Sequence, residues 1–166
     1  MYRKFEKVVL ILGGNKGDRN SLLHSAVEAV QKLGEITRLS KIYETEAWGG
    51  VAKGPFLNQV AEIETAHSPS EILATIQQIE IDLGRKRKEH WGDRTMDIDI
   101  IYFGGQVIDT AELRIPHPFL SERKFVLVPL VEILPDFEHP LVGKSNEQLL
   151  EECVDRSEVW LKEQGE

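Results

Sequence analysis

Apolar residues along this chain fall into runs and stripes of changing period, and the changes predict a mixed fold. Residues 8–12 (Val, Val, Leu, Ile, Leu) form an unbroken apolar run, as in a strand covered on both faces, and end at Gly13-Gly14-Asn15, which reads as a turn. From about Arg19 the spacing becomes helical, with Leu22, Leu23, Ala26, Val27, Val30 and Leu33 on one stripe and Gly34 as its stop. Residues 36–47 alternate loosely and predict a strand with an irregular end, and 56–65 predict another. Ser68-Pro69-Ser70-Glu71 predicts a helix start: Ser68 as N-cap, Pro69 at the first helical position, Glu71 closing a capping box. The stripe Ile72, Leu73, Ile76, Ile79 and Leu83 carries that helix to Gly84. Residues 98–103 are β-branched or aromatic apart from Asp99 and predict a buried strand. A Gly104-Gly105 turn and a short return strand at 107–108 follow, then helices at 119–133 and 145–162.

The order β-α-β-β-α-β over residues 8–103 is that of a split βαβ, ferredoxin-like α+β fold: an antiparallel-dominated sheet, helices packed on it, and extra C-terminal elements. At 166 residues without repeats, a single domain over 1–166 is expected. The net charge of −8 argues against nucleic acid as the main partner, since duplex binding needs a broad basic face. One cysteine, Cys153, leaves no internal disulfide and no cysteine zinc site. The charged start of the chain and the short run at 8–12 predict neither a targeting segment nor a membrane span, so a cytoplasmic protein is expected.

Chemistry concentrates at residues 85–99. Asp97 and Asp99 sit two apart on the strand and share a face. Two like charges so close repel unless a cation lies between them, and hard carboxylate oxygens suit Mg²⁺ together with phosphate oxygens and water. An ion pair with Arg85, Arg87 or Arg94 is the plainer alternative. The stretch from Arg85 to Arg94 holds five Lys/Arg against two acids, on a chain that is acidic overall. Guanidinium forks bind phosphate and keep their charge, although a solvated basic loop is the usual fate of such a run. Gly13-Gly14-Asn15-Lys16-Gly17 lacks the spacing of either common glycine-rich phosphate loop.

Several of these residues together resemble the 6-hydroxymethyl-7,8-dihydropterin pyrophosphokinases. The likeness rests on Gly13-Gly14-Asn15, Tyr43-Glu44-Thr45, Phe56-Leu57-Asn58, Gln77 with Glu80, Gly84-Arg85, Trp91 through Asp99, and Ile115-Pro116-His117-Pro118, and runs from about residue 8 to 135. It implies transfer of the β,γ-pyrophosphoryl group of ATP to the hydroxymethyl oxygen of a reduced pterin, releasing AMP, in folate biosynthesis. It also implies two Mg²⁺ on Asp97 and Asp99, with Arg85 and Arg94 as further catalytic residues. ATP would be carried by Gln77, Glu80, Arg87, His90, Arg94, Ile100, Arg114, His117, Pro118 and Arg123. The pterin would be held by Thr45, Glu46, Trp48, Phe56, Asn58, Trp91, Asp97 and Phe125, with the phenylalanine rings stacking on it. The expected partners are these small molecules alone, bound by a monomer, without nucleic acid or membrane.

The chain departs from the family pattern in places. His90 stands where many relatives have arginine, Phe56 where tyrosine is frequent, and Glu46, Ala47 and Trp48 replace a proline-rich loop. From the residues alone, Phe56 and Phe125 read equally as core, Gln77 and Glu80 as exposed polar positions on one helix face, and His117 as a turn histidine. Two other functions stay open at this level: another Mg-dependent phosphotransferase or nucleotidyltransferase using the same Asp-x-Asp clamp, and a non-catalytic ferredoxin-like binding module.

Overall fold

The computed structural model describes residues 4–46, 55–84 and 95–162. Strand β1 (Glu6–Gly14) leads to helix α1 (Arg19–Val30), strands β2 (Glu35–Leu39), β3 (Tyr43–Thr45) and β4 (Phe56–Thr65), helix α2 (Pro69–Asp82) and strand β5 (Asp97–Phe103). Counting β2 and β3 as one broken strand, this is the βαββαβ order, and the sheet runs β5-β1-β4-β3 with β2 beside β3 on β4. Every pairing among these strands is antiparallel. The ferredoxin-like architecture is therefore present.

Local chemistry accounts for the helix starts. Asp18 accepts the Ser21 N–H at the head of α1, and at α2 the Ser68 hydroxyl and Glu71 carboxylate exchange backbone bonds as expected of a capping box. The break between β2 and β3 is sewn to β4 by Ser40, whose hydroxyl accepts the Val60 N–H (2.9 Å) and whose carbonyl accepts from Gln59 Nε2 (2.7 Å). The expected single strand over 36–47 is thus two short ones with a side chain replacing a ladder bond between them.

Other expectations change for identifiable reasons. Gly13 and Gly14 are not a turn but the end of β1. Gly34 does not stop α1, which ends at Val30. A Cβ there would fall 2.0 Å from the Glu64 carbonyl oxygen, so glycine serves a close backbone approach instead. The return strand is β6 (Ile108–Asp109), paired with β7 (Arg114–Ile115) in a separate two-stranded sheet. A 3₁₀ turn (Leu120–Glu122) and α3 (Lys124–Ile133) replace one helix over 119–133. The helix expected over 145–162 is only α4 (Asn146–Glu152); the chain then extends into β8 (Val159–Leu161), which pairs with β3 at the sheet edge.

Strand parity splits the core in two. Leu10, Leu12, Leu57, Ile63, Ile98 and Ile100 face α1 and α2, while Val9, Ile11, Val60 and Ile101 face α3 and α4. Among the described residues no helix is long and apolar enough to cross a membrane.

Candidate active site

The strand register brings residues of four strands into one row. Asp97 of β5 lies opposite Gly13 of β1, Gly13 opposite Asn58 of β4, and Asn58 opposite Tyr43 of β3. Directly opposed residues project to the same face. The next row in, Asp99–Ile11–Val60, identifies that face as the one covered by α3, since Ile11 and Val60 pack there. Gly13 is the smallest member, and a Cβ on it would come 2.3 Å from Asn58 Oδ1 and 2.5 Å from the Leu57 carbonyl oxygen. Its bareness makes room for the Asn58 amide, a role hidden by reading it as part of a turn. Asn58 and Thr45 are both about 95% buried, and Asn58 Nδ2 donates to Thr45 Oγ1 at 3.4 Å. Phe56 sits opposite Thr45, half-buried on the same face, and Glu46 is exposed just beyond.

His117 reaches this face through an irregularity in β5. The β1–β5 register slips between Val9 and Leu10, leaving Ile101 as the extra residue. Ile101 and Tyr102 consequently both pack toward α3, and the Ile101 carbonyl accepts the His117 N–H at 3.0 Å. The Phe119 N–H donates to His117 Nδ1 (3.2 Å), which assigns the proton of the neutral ring to Nε2, 4.0 Å from Asp99 Oδ2. Burial and the Arg123 charge push the imidazole pKa down to about 4, against the pull of Asp97. At neutral pH His117 therefore offers an Nε2–H donor and no charge. Arg123 lies over the Phe119 ring (5.1 Å to the centroid) and near that of Phe125 (5.9 Å), so two aromatic rings flank the guanidinium at the start of α3.

The remaining expected residues are placed unevenly. Gln77 is exposed on α2, but Glu80 is 3% exposed, not a surface polar residue, and its Oε2 accepts the Ile98 N–H at 2.9 Å. That bond holds β5 between the two aspartates. Ile100 points its side chain into the α1/α2 core, which leaves only its backbone for a ligand. Arg114 is exposed on the small hairpin beside Asp109 (3.4 Å), and Pro118 is exposed next to His117. Trp48, Arg85, Arg87, His90, Trp91 and Arg94 lie outside the described residues.

No group of three or more His, Cys, Asp or Glu suited to a metal occurs among the described residues. The donor set is two carboxylates on one face with a neutral imidazole beside them. That set fits Mg²⁺, which commonly takes one or two carboxylates and completes its shell with water and substrate phosphates.

Comparison with known proteins identifies the family. The family model for 7,8-dihydro-6-hydroxymethylpterin-pyrophosphokinase (HPPK) matches residues 9–135. A protein of Aquifex aeolicus named 2-amino-4-hydroxy-6-hydroxymethyldihydropteridine pyrophosphokinase is 43% identical over 137 residues, 82% of this chain and 86% of its own length. One of the same name from Bacillus subtilis is 39% identical over 158 residues, 94% of this chain and 91% of its own. Among solved structures, a triple mutant of Plasmodium falciparum HPPK-DHPS with SDX-DHP superposes with a TM-score of 0.74 at 19% identity, over 90% of this chain. This chain spans 44% of that longer one, and the likeness speaks for the fold alone. On the sequence matches, this chain belongs to the 7,8-dihydro-6-hydroxymethylpterin-pyrophosphokinase family.

Proposed function

We propose that the chain transfers the pyrophosphoryl group of ATP to the hydroxymethyl oxygen of 6-hydroxymethyl-7,8-dihydropterin, giving AMP and the pterin diphosphate. Beyond family membership, one observation carries the reading: Asp97 and Asn58 flank Gly13 in a single row. A flat ligand held at the amide and a phosphate held at the carboxylates would then lie on the same face, side by side.

The roles follow from the side chains. Asn58, with one amide hydrogen engaged by Thr45, keeps a second hydrogen and its carbonyl for the mixed donor–acceptor edge of a pterin. Phe56 and Phe125 stack on the ring, with Glu46, Trp48 and Trp91 completing its surroundings. Asp97 and Asp99 hold Mg²⁺, two ions on the family resemblance. Bound magnesium supplies charge neutralisation on the phosphates and alignment of attacker with leaving group. His117 donates from Nε2 to a phosphate oxygen, and Arg123 adds a permanent charge. Arg85 and Arg94 contact the transferring group; Gln77, Arg87, His90, Arg114, Pro118 and the Ile100 backbone line the nucleotide. Glu80 serves by fixing β5. On this reading the enzyme works as a cytoplasmic monomer on small molecules.

The test is product analysis. Incubation with ATP, Mg²⁺ and the hydroxymethyl pterin is expected to yield AMP and pterin diphosphate in equal amounts, and nothing when either the pterin or Mg²⁺ is withheld. ADP or free pyrophosphate as the product would overturn the assignment.

A further inference from the structure

Of the four α-helices among the described residues, three are capped by a neighbour in sequence: Asp18 at α1, Ser68 at α2 and Ser145 at α4. α3 is not. Its N-cap, Arg123, makes no side-chain bond to the helix. The Lys124 N–H, which has no intrahelical acceptor, donates instead to Asp155 Oδ2 at 3.0 Å, from 31 residues away. The other carboxylate oxygen accepts the Ser157 N–H at 2.9 Å. Burial works against the ionised form, but the bonds from Ser157 and Lys124 outweigh it and hold the carboxyl below its usual range. Asp155 is therefore charged at neutral pH.

The same segment grips the opposite wall of the site. Val159 of β8 lies opposite Thr45, Trp160 opposite Glu44, and the Lys162 N–H donates to the Ile42 carbonyl at 2.9 Å. Trp160 Nε1 adds a bond to Glu44 at 3.2 Å. Within eight residues the chain thus fastens both the first turn of α3, with Arg123 and Phe125, and the strand that carries Thr45. This strap lies beyond the family match, which ends at residue 135.

The body of α3 has anchors of its own. Val126, Leu127, Leu130 and Ile133 are in the core, Tyr43 donates to Glu132 at 2.6 Å, and Arg38 donates to the Ile133 carbonyl at 2.9 Å. Losing Asp155 would free the first turn without undocking the helix.

We propose that Asp155 is a positioning residue for the pterin pocket, fixing the first turn of α3 and with it the place of Phe125 relative to Thr45, Asn58 and Phe56. The proposal rests on the reading of Phe125 and Asn58 as pterin contacts. The experiment compares Asp155→Ala, Asp155→Asn and Phe125→Ala by steady-state kinetics in both substrates, alongside thermal melts. Asp155→Ala is expected to raise the pterin KM about fivefold, with kcat and the ATP KM within about twofold of wild type. Asp155→Asn keeps one acceptor oxygen and is expected at about twofold; it decides the question if the alanine variant does not fold. An unchanged pterin KM in both Asp155 variants overturns the proposal, as does an equal rise for both substrates with a fall in kcat. Phe125→Ala tests the underlying reading separately: its pterin KM should rise about tenfold, and an unchanged value would remove Phe125 from the pocket whatever Asp155 does.

Discussion

The two faces of the central sheet are made by the same strands and do different work. On the α1/α2 face every second residue of β1, from Val8 to Leu12, packs into an apolar layer with Ile72, Ile76 and Leu23. The α3/α4 face is equally apolar around Val9, Ile101 and Leu130, but toward the Gly14 end of β1 it turns polar, with Asp99, then Asp97 and Asn58, then Thr45 in successive rows. A period of two lets one strand serve as scaffold on one side and as site on the other. Precision on the polar side is borrowed from packing on the apolar side. Glu80 makes the link concrete: it belongs to the scaffold helix and bonds the backbone between Asp97 and Asp99.

Substitutions on the two faces should therefore separate chemistry from stability. The largest effect is expected from Asp97→Ala, which should lower turnover by roughly two to four orders of magnitude while calorimetry still detects pterin binding. Near-normal turnover would remove the carboxylate pair from the mechanism. On the scaffold face, Ile72→Ala should cost about 2–5 kcal/mol in denaturant unfolding and leave both KM values unchanged well below the melting point. A selective KM change there would erase the division between faces. Gly13→Ala stands at the boundary. Its methyl collides with Asn58 Oδ1, so the pterin KM should rise about tenfold or more, with an overpacking loss of about 1–3 kcal/mol.

The smallest effect concerns pH. Burial alone would raise the Glu44 pKa, but Arg19 (2.8 Å) and Trp160 outweigh it and hold the carboxyl below its usual range. A depressed folded value means the contribution is present above the unfolded carboxylate pKa of about 4.3 and is lost as pH falls through the folded value. Wild type should thus lose up to ~1 kcal/mol more than Arg19→Gln between pH 5 and pH 3. Parallel curves would show the pair to be inert.

What could be read from the sequence is what nearby residues decide. Ser68, Pro69 and Glu71 specify a helix start within four positions, and the α2 start and strand 56–65 appear where expected. The Asp97/Asp99 pair was visible because strand alternation is a local rule. The rest depends on distant partners. Val159-Trp160-Leu161 is a strand only because β3 is there to pair with it. Gln77 and Glu80 share a helix face by spacing, yet one is exposed and the other buried, because β5 presents an N–H to the second alone. His117 meets Asp99 through a slip in the β5 register that no residue in 97–103 announces. Asp155 gave no signal at all, since its partner is 31 residues away.

β8 has one more effect, on what the molecule avoids. Without it, β3 would present its open backbone to any extended chain that met it. The three-residue strand occupies that side and offers in its place a rim too short to template a further ladder, flanked by Glu158 and Lys162. This short strand thus covers the β3 edge against pairing with other chains.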